Sequence, residues 1–165
     1  MDENEFKIEV VWQQMTPELS AEVIEFWLKE KALPDMKLAE ERVKQVLVVC
    51  REIQTNDIVG LTTVLKMRAP RLLNNVVYYY RLFVAEAWRK KNIGTEMLGV
   101  SREHLNQRFV SGEDISAKGL FSVTESPILK KSRRQGVSPA GVFMGVNETG
   151  DHLRIAWFDG AHIID

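Results

Sequence analysis

The sequence predicts a mixed α/β fold, and three observations carry that prediction. The chain opens with an alternating segment and two helical stretches. Two strand-like runs then meet across a short polar turn, and later a strand, a helix and another strand follow in turn. An antiparallel hairpin combined with a strand–helix–strand step gives a mixed, α+β-like class, not a doubly wound parallel sheet. The expected order is β-α-α-β-β-β-α-β-α-β-β. At 165 residues the chain suits one domain, residues 1–165, with a sizeable core.

Each element has a local cause. Lys7 to Met15 alternates weakly and reads as a first strand. Thr16-Pro17-Glu18 joins a capping hydroxyl, a proline at the first helical position and an acid in the first turn. Leu19, Val23, Phe26 and Trp27 recur at helical spacing and make a core-facing stripe. Leu33-Pro34-Asp35 breaks that helix and caps a second, from about Met36 to Gln45. Val46 to Ile53 and Ile58 to Met67 form a hairpin across Gln54-Thr55-Asn56-Asp57, and Gly60 marks a bulge or a close approach. Val76 to Val84 is the central strand, and a helix follows over about Asn92 to Gln107, with Ile93, Met97, Val100 and Leu105 on or near one face. Arg108 to Lys118 reads as a loop and Gly119 to Val123 as a short strand. A helix over about Pro127 to Arg134 stops at Gly136. Gly141 to Val146 and His152 to Phe158 are the last strands.

Composition narrows the function classes. A formal net charge of −1 implies no general attraction to nucleic acid or an anionic membrane. No apolar run approaches the length of a membrane span, and the acidic Met1-Asp2-Glu3-Asn4-Glu5 is unlike a signal peptide. The single cysteine, Cys50, sits in an apolar strand and reads as a small buried residue. The cytosol is the expected location. His104, His152 and His162 lack metal-ligand spacing, so no metal is expected.

The chemistry concentrates after the central strand, in Arg89-Lys90-Lys91-Asn92-Ile93-Gly94-Thr95. The first N–H groups of a helix have no intrahelical partner and sit at the positive end of its dipole. A basic turn at that point favours phosphate. Gly94 lets a ligand approach the backbone, and Asn92 tolerates a left-handed conformation. On spacing alone the stretch is either a phosphate grip or a solvated basic turn. Neither a Walker-type nor a dinucleotide-type glycine pattern is present.

The same residues resemble the acyl-CoA-binding motif of the GNAT superfamily, the acetyl-CoA-dependent N-acyltransferases. That motif has Gln or Arg, two variable residues, Gly, one variable residue, then Gly or Ala. Here Arg89, Asn92 and Gly94 hold the defining positions, with Asn92 in place of the first glycine. The resemblance implies a GNAT-type fold: a central, mostly antiparallel mixed sheet with a V-shaped splay, flanked by helices. It implies acetyl-CoA as co-substrate, its pyrophosphate held by Arg89, Lys90, Lys91, Asn92, Ile93, Gly94 and Thr95. The pantetheine arm would run along Leu82, Phe83 and Val84. It also implies direct attack of an acceptor amine on the thioester, a reaction that gains much of its rate from holding two substrates together.

The family's variable acid and base positions align with Tyr78 and Tyr80, whose period-two spacing puts them on one strand face, with Tyr79 on the other. They are read either as groups lining the reacting centre or as half-buried strand residues. Glu125 stands where the family often has a helix-capping asparagine; it caps, faces solvent, or acts as a base through water. The family's late-helix tyrosine is replaced by Ser132. Lys130, Lys131, Arg133 and Arg134 form a solvated helix face or a contact for the CoA 3′-phosphate. The resemblance places the acceptor pocket in Leu28 to Leu38 and Gly141 to Phe158; neither segment holds a recognisable motif, and the mixed charge of Lys29, Glu30, Lys31, Asp35 and Lys37 selects neither an acidic nor a basic acceptor. Trp157 and Phe158 line that pocket, close a homodimer by strand exchange, or fill the core. Two functions follow: an N-acetyltransferase, or an acyl-CoA-binding sensor or interaction module with little turnover.

Overall fold

The computed structural model describes residues 5–132 and 136–164. The elements in chain order are β1 (Phe6–Val10), α1 (Pro17–Lys29), α2 (Met36–Arg42), β2 (Val46–Glu52), β3 (Ile58–Ala69), β4 (Asn75–Val84), α3 (Ile93–Val110), β5 (Gly119–Thr124), α4 (Pro127–Ser132), β6 (Val137–Ser138), β7 (Gly141–Val146) and β8 (His152–Trp157). The strand order is β1-β2-β3-β4-β5-β8-β7-β6. It is mixed and mostly antiparallel, with β4 and β5 pairing parallel. No helix among the described residues is long and apolar enough to cross a membrane. The chain divides into two compact units, one of residues 1–64 and 81–101, the other of residues 65–80 and 102–165.

In the first unit the helix starts form as the side chains dictate. Thr16 Oγ1 accepts the Leu19 N–H at 3.1 Å and Asp35 Oδ1 accepts the Leu38 N–H at 2.9 Å, so each cap satisfies one orphan donor. The apolar stripe of α1 buries Val23, Phe26 and Trp27 with Val46, Val49 and Leu61 of the hairpin. Arg51 is buried on β2 because two carboxylates receive it, Glu22 at 2.7 Å and Glu9 at 3.4 Å. The first strand is shorter than the alternation predicts. It ends at Val10, and a turn at Trp12–Gln13 follows, where Gln13 takes a φ of 60°.

Gly60 serves both of its predicted purposes. Cys50 pairs with Gly60 but Arg51 pairs with Ile58, so the β2–β3 ladder carries a bulge there. A Cβ on Gly60 would also meet Met97 Cε at 2.9 Å and the Phe83 carbonyl at 3.2 Å, a close approach in which the methionine end and the strand would have to give slightly. Nearby, Thr62 and Ser101 share one hydroxyl–hydroxyl hydrogen bond of 3.1 Å, and neither residue is accessible to solvent.

In the second unit, β5 pairs with β8 over six registers, from Gly119↔Trp157 to Thr124↔His152. Its parallel ladder with β4 carries Tyr78↔Leu120 and Tyr79↔Phe121. Ala69, Leu72, Val77 and Ile155 form the core of one sheet face. Buried Asn75 gathers Leu72 O at 2.9 Å with both backbone groups of Ile164, at 2.8 and 3.0 Å. The end of β8 is tied to α3: Arg102 donates to the Trp157 carbonyl at 2.6 Å, and Asn106 donates to Asp159 at 3.0 Å. Phe158, which follows β8, is buried core. The short β6 is an element that the hydrophobic pattern does not announce.

Candidate functional site

The predicted ligand stretch lies in the first unit. Central strand β4 ends at Val84, and Ala85 N–H closes onto Val59 O at 2.8 Å. One 3-10 turn, Glu86–Trp88, precedes the basic residues. Asn92 then takes the left-handed conformation, φ 60°, that its side chain tolerates better than most. Buried Ile93 anchors the first turn of α3. The Glu96 N–H bonds back to Asn92 O at 3.2 Å, so the N–H groups of Ile93, Gly94 and Thr95 precede the first intrahelical bond. A Cβ at Gly94 would lie 3.0 Å from Leu82 Cδ2, the end of a partly exposed side chain that would need to give only slightly. Asparagine thus holds the turn that glycine would hold, and the residues fit an anion at this helix start.

The side chains of the stretch are not equivalent. Arg89 Nε donates to the Val84 carbonyl at 3.1 Å, and its guanidinium lies 5.7 Å from the Phe83 ring. Lys91 sits 4.5 Å over the Trp88 ring and forms an ion pair with Glu5. Lys90 is exposed and makes no polar contact among the described residues. Leu82 is partly exposed, whereas Phe83 packs edge-on to Phe26 at 5.8 Å, inside the α1 core. The Phe83 side chain therefore belongs to the fold.

Tyr78 and Tyr80 lie in the second unit, both buried, while Tyr79 is half-buried and packs on Phe121. Tyr78 is 3% exposed, and its hydroxyl donates to Asp114 Oδ2 at 2.7 Å. Lys66 Nζ meets the same oxygen at 2.8 Å. Ser116 completes the cluster, donating to Oδ1 from its N–H at 3.1 Å and its hydroxyl at 2.6 Å. Burial, then the bond to Asp114, pushes the phenol well above its ordinary value. Burial pushes the Asp114 carboxyl up, but hydrogen bonds from Lys66, Ser116 and Tyr78 outweigh it and hold the acid well below the usual range. Sequence reasoning missed Asp114 because it comes from a loop 36 residues away; the one local signal was the Asp114-Ile115-Ser116 turn.

Glu125 is exposed and does not cap α4; Ser126 does, accepting the Leu129 N–H at 3.4 Å. The serine hydroxyl sits at the capping distance, one residue later than the alignment suggests. Of the basic cluster, Lys130 is bound to Asp151 at 2.6 Å, and Lys131 and Ser132 are exposed. Arg133 and Arg134 lie outside the described residues, and the described helix ends four residues before Gly136. Cys50 is buried; burial and the nearby Glu96 carboxylate push its thiol up to about 12, which suits structure and not catalysis. Between α1 and α2 an open groove of about 500 Å3 is lined by Ala21, Ile24, Glu25, Leu28, Lys29 and Met36, overlapping the predicted acceptor segment.

Comparison with known proteins places the fold. No family model and no curated protein sequence matches the chain. Solved structures do match. One is Arabidopsis thaliana NAA60 in complex with acetyl-CoA, with TM-score 0.59, 10% identity, and 94% of this chain and 99% of that one covered. Another is the ribosomal-protein-S5-alanine acetyltransferase of Vibrio fischeri, with TM-score 0.59, 8% identity, and 98% of each chain covered. A third is a GNAT-family acetyltransferase of Listeria monocytogenes, with TM-score 0.55, 17% identity, and 92% of this chain and 94% of that one covered. The chain has the fold of the GNAT acetyltransferases.

Proposed function

We propose that the protein is an acetyl-CoA-dependent N-acetyltransferase that moves an acetyl group to a primary amine by direct attack. The observation that carries the reading is the start of α3. Three N–H groups precede the first helical bond, behind a left-handed Asn92 and beside exposed Arg89 and Lys90. That arrangement suits a diphosphate. The acetyl-CoA bound to Arabidopsis NAA60, a protein of the same fold, gives the ligand its identity in this reading.

Ile93, Gly94 and Thr95 would bind the diphosphate through their N–H groups, with Arg89 and Lys90 adding charge; Lys91 joins them if it leaves Glu5. Leu82, Phe83 and Val84 would orient the pantetheine arm through their backbone, as a strand edge orients a peptide. When bound, acetyl-CoA supplies an acyl group activated as a thioester. The amine must arrive neutral. Its nitrogen forms the new bond to the carbonyl carbon, the carbon–sulfur bond breaks, the sulfur leaves as thiolate, and the amine's surplus proton passes to that sulfur or to water. Tyr78 and Tyr80 are the candidates for proton handling in this reading, Tyr78 with its hydroxyl committed to Asp114. Glu125 has the exposure for a role through water only. The reading treats residues 1–165 as one catalytic domain working in the cytosol, without a metal, nucleic acid or membrane partner, either alone or as a homodimer.

A second reading has its own support. Commitment of Tyr78 and the serine at position 132 both remove acid groups, which favours an acyl-CoA-binding sensor or interaction module. A thiol-release assay over a panel of amines, run beside calorimetric binding of acetyl-CoA, separates the two. Release with one amine class establishes the enzyme; tight binding without release for any amine establishes the module. The double reversal Arg89→Glu with Lys90→Glu is expected to abolish acetyl-CoA binding while leaving the circular dichroism unchanged. Retained affinity would refute the phosphate assignment.

A further inference from the structure

Glu5 leads into β1, far in sequence from the ligand stretch, yet its carboxylate is paired with Lys91 of that stretch. Two contacts fix this position. The Glu5 carbonyl accepts the Ile53 N–H at 3.0 Å, anchoring the residue to the end of β2. On the other side, the Lys91 ammonium lies over the Trp88 ring, which holds the cation toward the N-terminal strand. The neighbouring basic residue, Lys90, has no such restraint among the described residues. A carboxylate bound to a cation of a phosphate site occupies that cation's charge. An incoming phosphate must then displace it or share it.

We propose that Glu5 is an internal competitor for the phosphorylated ligand: it sequesters Lys91 in the ligand-free protein, and phosphate binding releases the lysine from it. The inference rests on the acetyl-CoA reading of the same stretch, and it adds a built-in restraint on affinity to that reading. The pair is partly exposed, with side-chain accessibilities of 42% for Lys91 and 58% for Glu5, so its effect is small and sensitive to salt. Exposed pairs of this kind correspond to a change in affinity of about 1.5- to 5-fold.

Calorimetric titration of CoA into the full chain tests the proposal, at about 20 mM and about 300 mM salt, where screening differs severalfold. The proteins are the parent, Glu5→Gln, Lys91→Met and the double variant. Glu5→Gln is expected to bind CoA about 2- to 5-fold more tightly than the parent at low salt, with the gain shrinking at high salt. In the Lys91→Met background the same change is expected to do nothing, because the cation it frees is gone. Unchanged or weaker binding by Glu5→Gln overturns the proposal, as does an equal gain without Lys91, which would make the effect a general change in charge. Failure of the parent itself to bind CoA is a separate outcome that refutes the acetyl-CoA reading and this inference with it. Thermal unfolding of each variant guards against a folding defect, and both positions are exposed enough to tolerate the changes.

Discussion

Replacing Tyr78 with Phe separates a structural tyrosine from one that touches the reacting atoms. The change deletes one oxygen and keeps the ring, which packs 6.4 Å from Phe158. It removes the 2.7 Å bond to Asp114. A hydrogen bond to a charged group contributes about 1.5–3 kcal/mol. Lys66 and Ser116 remain on that carboxylate, so the loss should fall at the lower end, about 1.5 kcal/mol. In a chain of this length that lowers Tm by about 3–6 °C.

The pH dependence sharpens the test. The folded carboxyl of Asp114 is depressed, so its stabilisation is full above the ordinary aspartate value near 4 and is lost as pH falls toward the folded value. The folded Tyr78 phenol is raised, so its stabilisation is full below the ordinary tyrosine value near 10 and is lost as pH climbs beyond it. Urea unfolding across pH 2–11 should show Tyr78→Phe less stable in the middle range, with a shallower decline at both ends. Turnover of the folded variant should stay within about threefold of the parent, under 1 kcal/mol in barrier. Unchanged stability together with a loss of a hundredfold or more in kcat would refute the structural assignment.

Three further outcomes can be measured. Asn92→Ala should destabilise by about 1 kcal/mol in urea unfolding, because alanine pays the left-handed penalty without an asparagine's local hydrogen bonding, whereas Asn92→Gly should not. Gly119→Ala would place a Cβ 2.5 Å from the Ala156 carbonyl oxygen and 3.0 Å from Trp157 Cα, both backbone atoms. The ladder must shift, at about 2–3 kcal/mol, and Tm should drop accordingly. Cys50, with its thiol pushed up to about 12, should be inert to a disulfide reagent at pH 8 and react only as denaturant unfolds the chain. Rapid labelling in the native state would contradict its burial.

What could be read from the residues was what neighbours along the chain decide. Thr16 and Asp35 cap because their own side chains reach three residues ahead. The β2–β3 hairpin and left-handed Asn92 follow from turn chemistry in the same way. Gly60 also gave a correct signal, since a glycine inside a strand calls for a reason and two were found. Distant partners were not legible. The hydroxyl of Tyr78 ends on a loop aspartate, Asn75 holds backbone 89 residues away, and Lys91 turns to Glu5 across 86 residues. No periodicity encodes such pairs, because only the folded chain brings them within reach. Short elements escaped for the opposite reason: β6 has two residues and the turn before the basic stretch has three, too few to repeat a pattern.

The hydroxyl pair of Thr62 and Ser101 binds the fate of two codons. With one bond between them and no solvent at either side chain, removing a single partner strands the other's polar atom in a dry interior, a penalty of about 1–3 kcal/mol. Exchanging both together for apolar groups of like shape, Thr62→Val with Ser101→Ala, avoids that penalty and can leave stability nearly unchanged. Related sequences should therefore keep both hydroxyls or lose both, and a lineage crossing between those states passes through an intermediate less stable than either end.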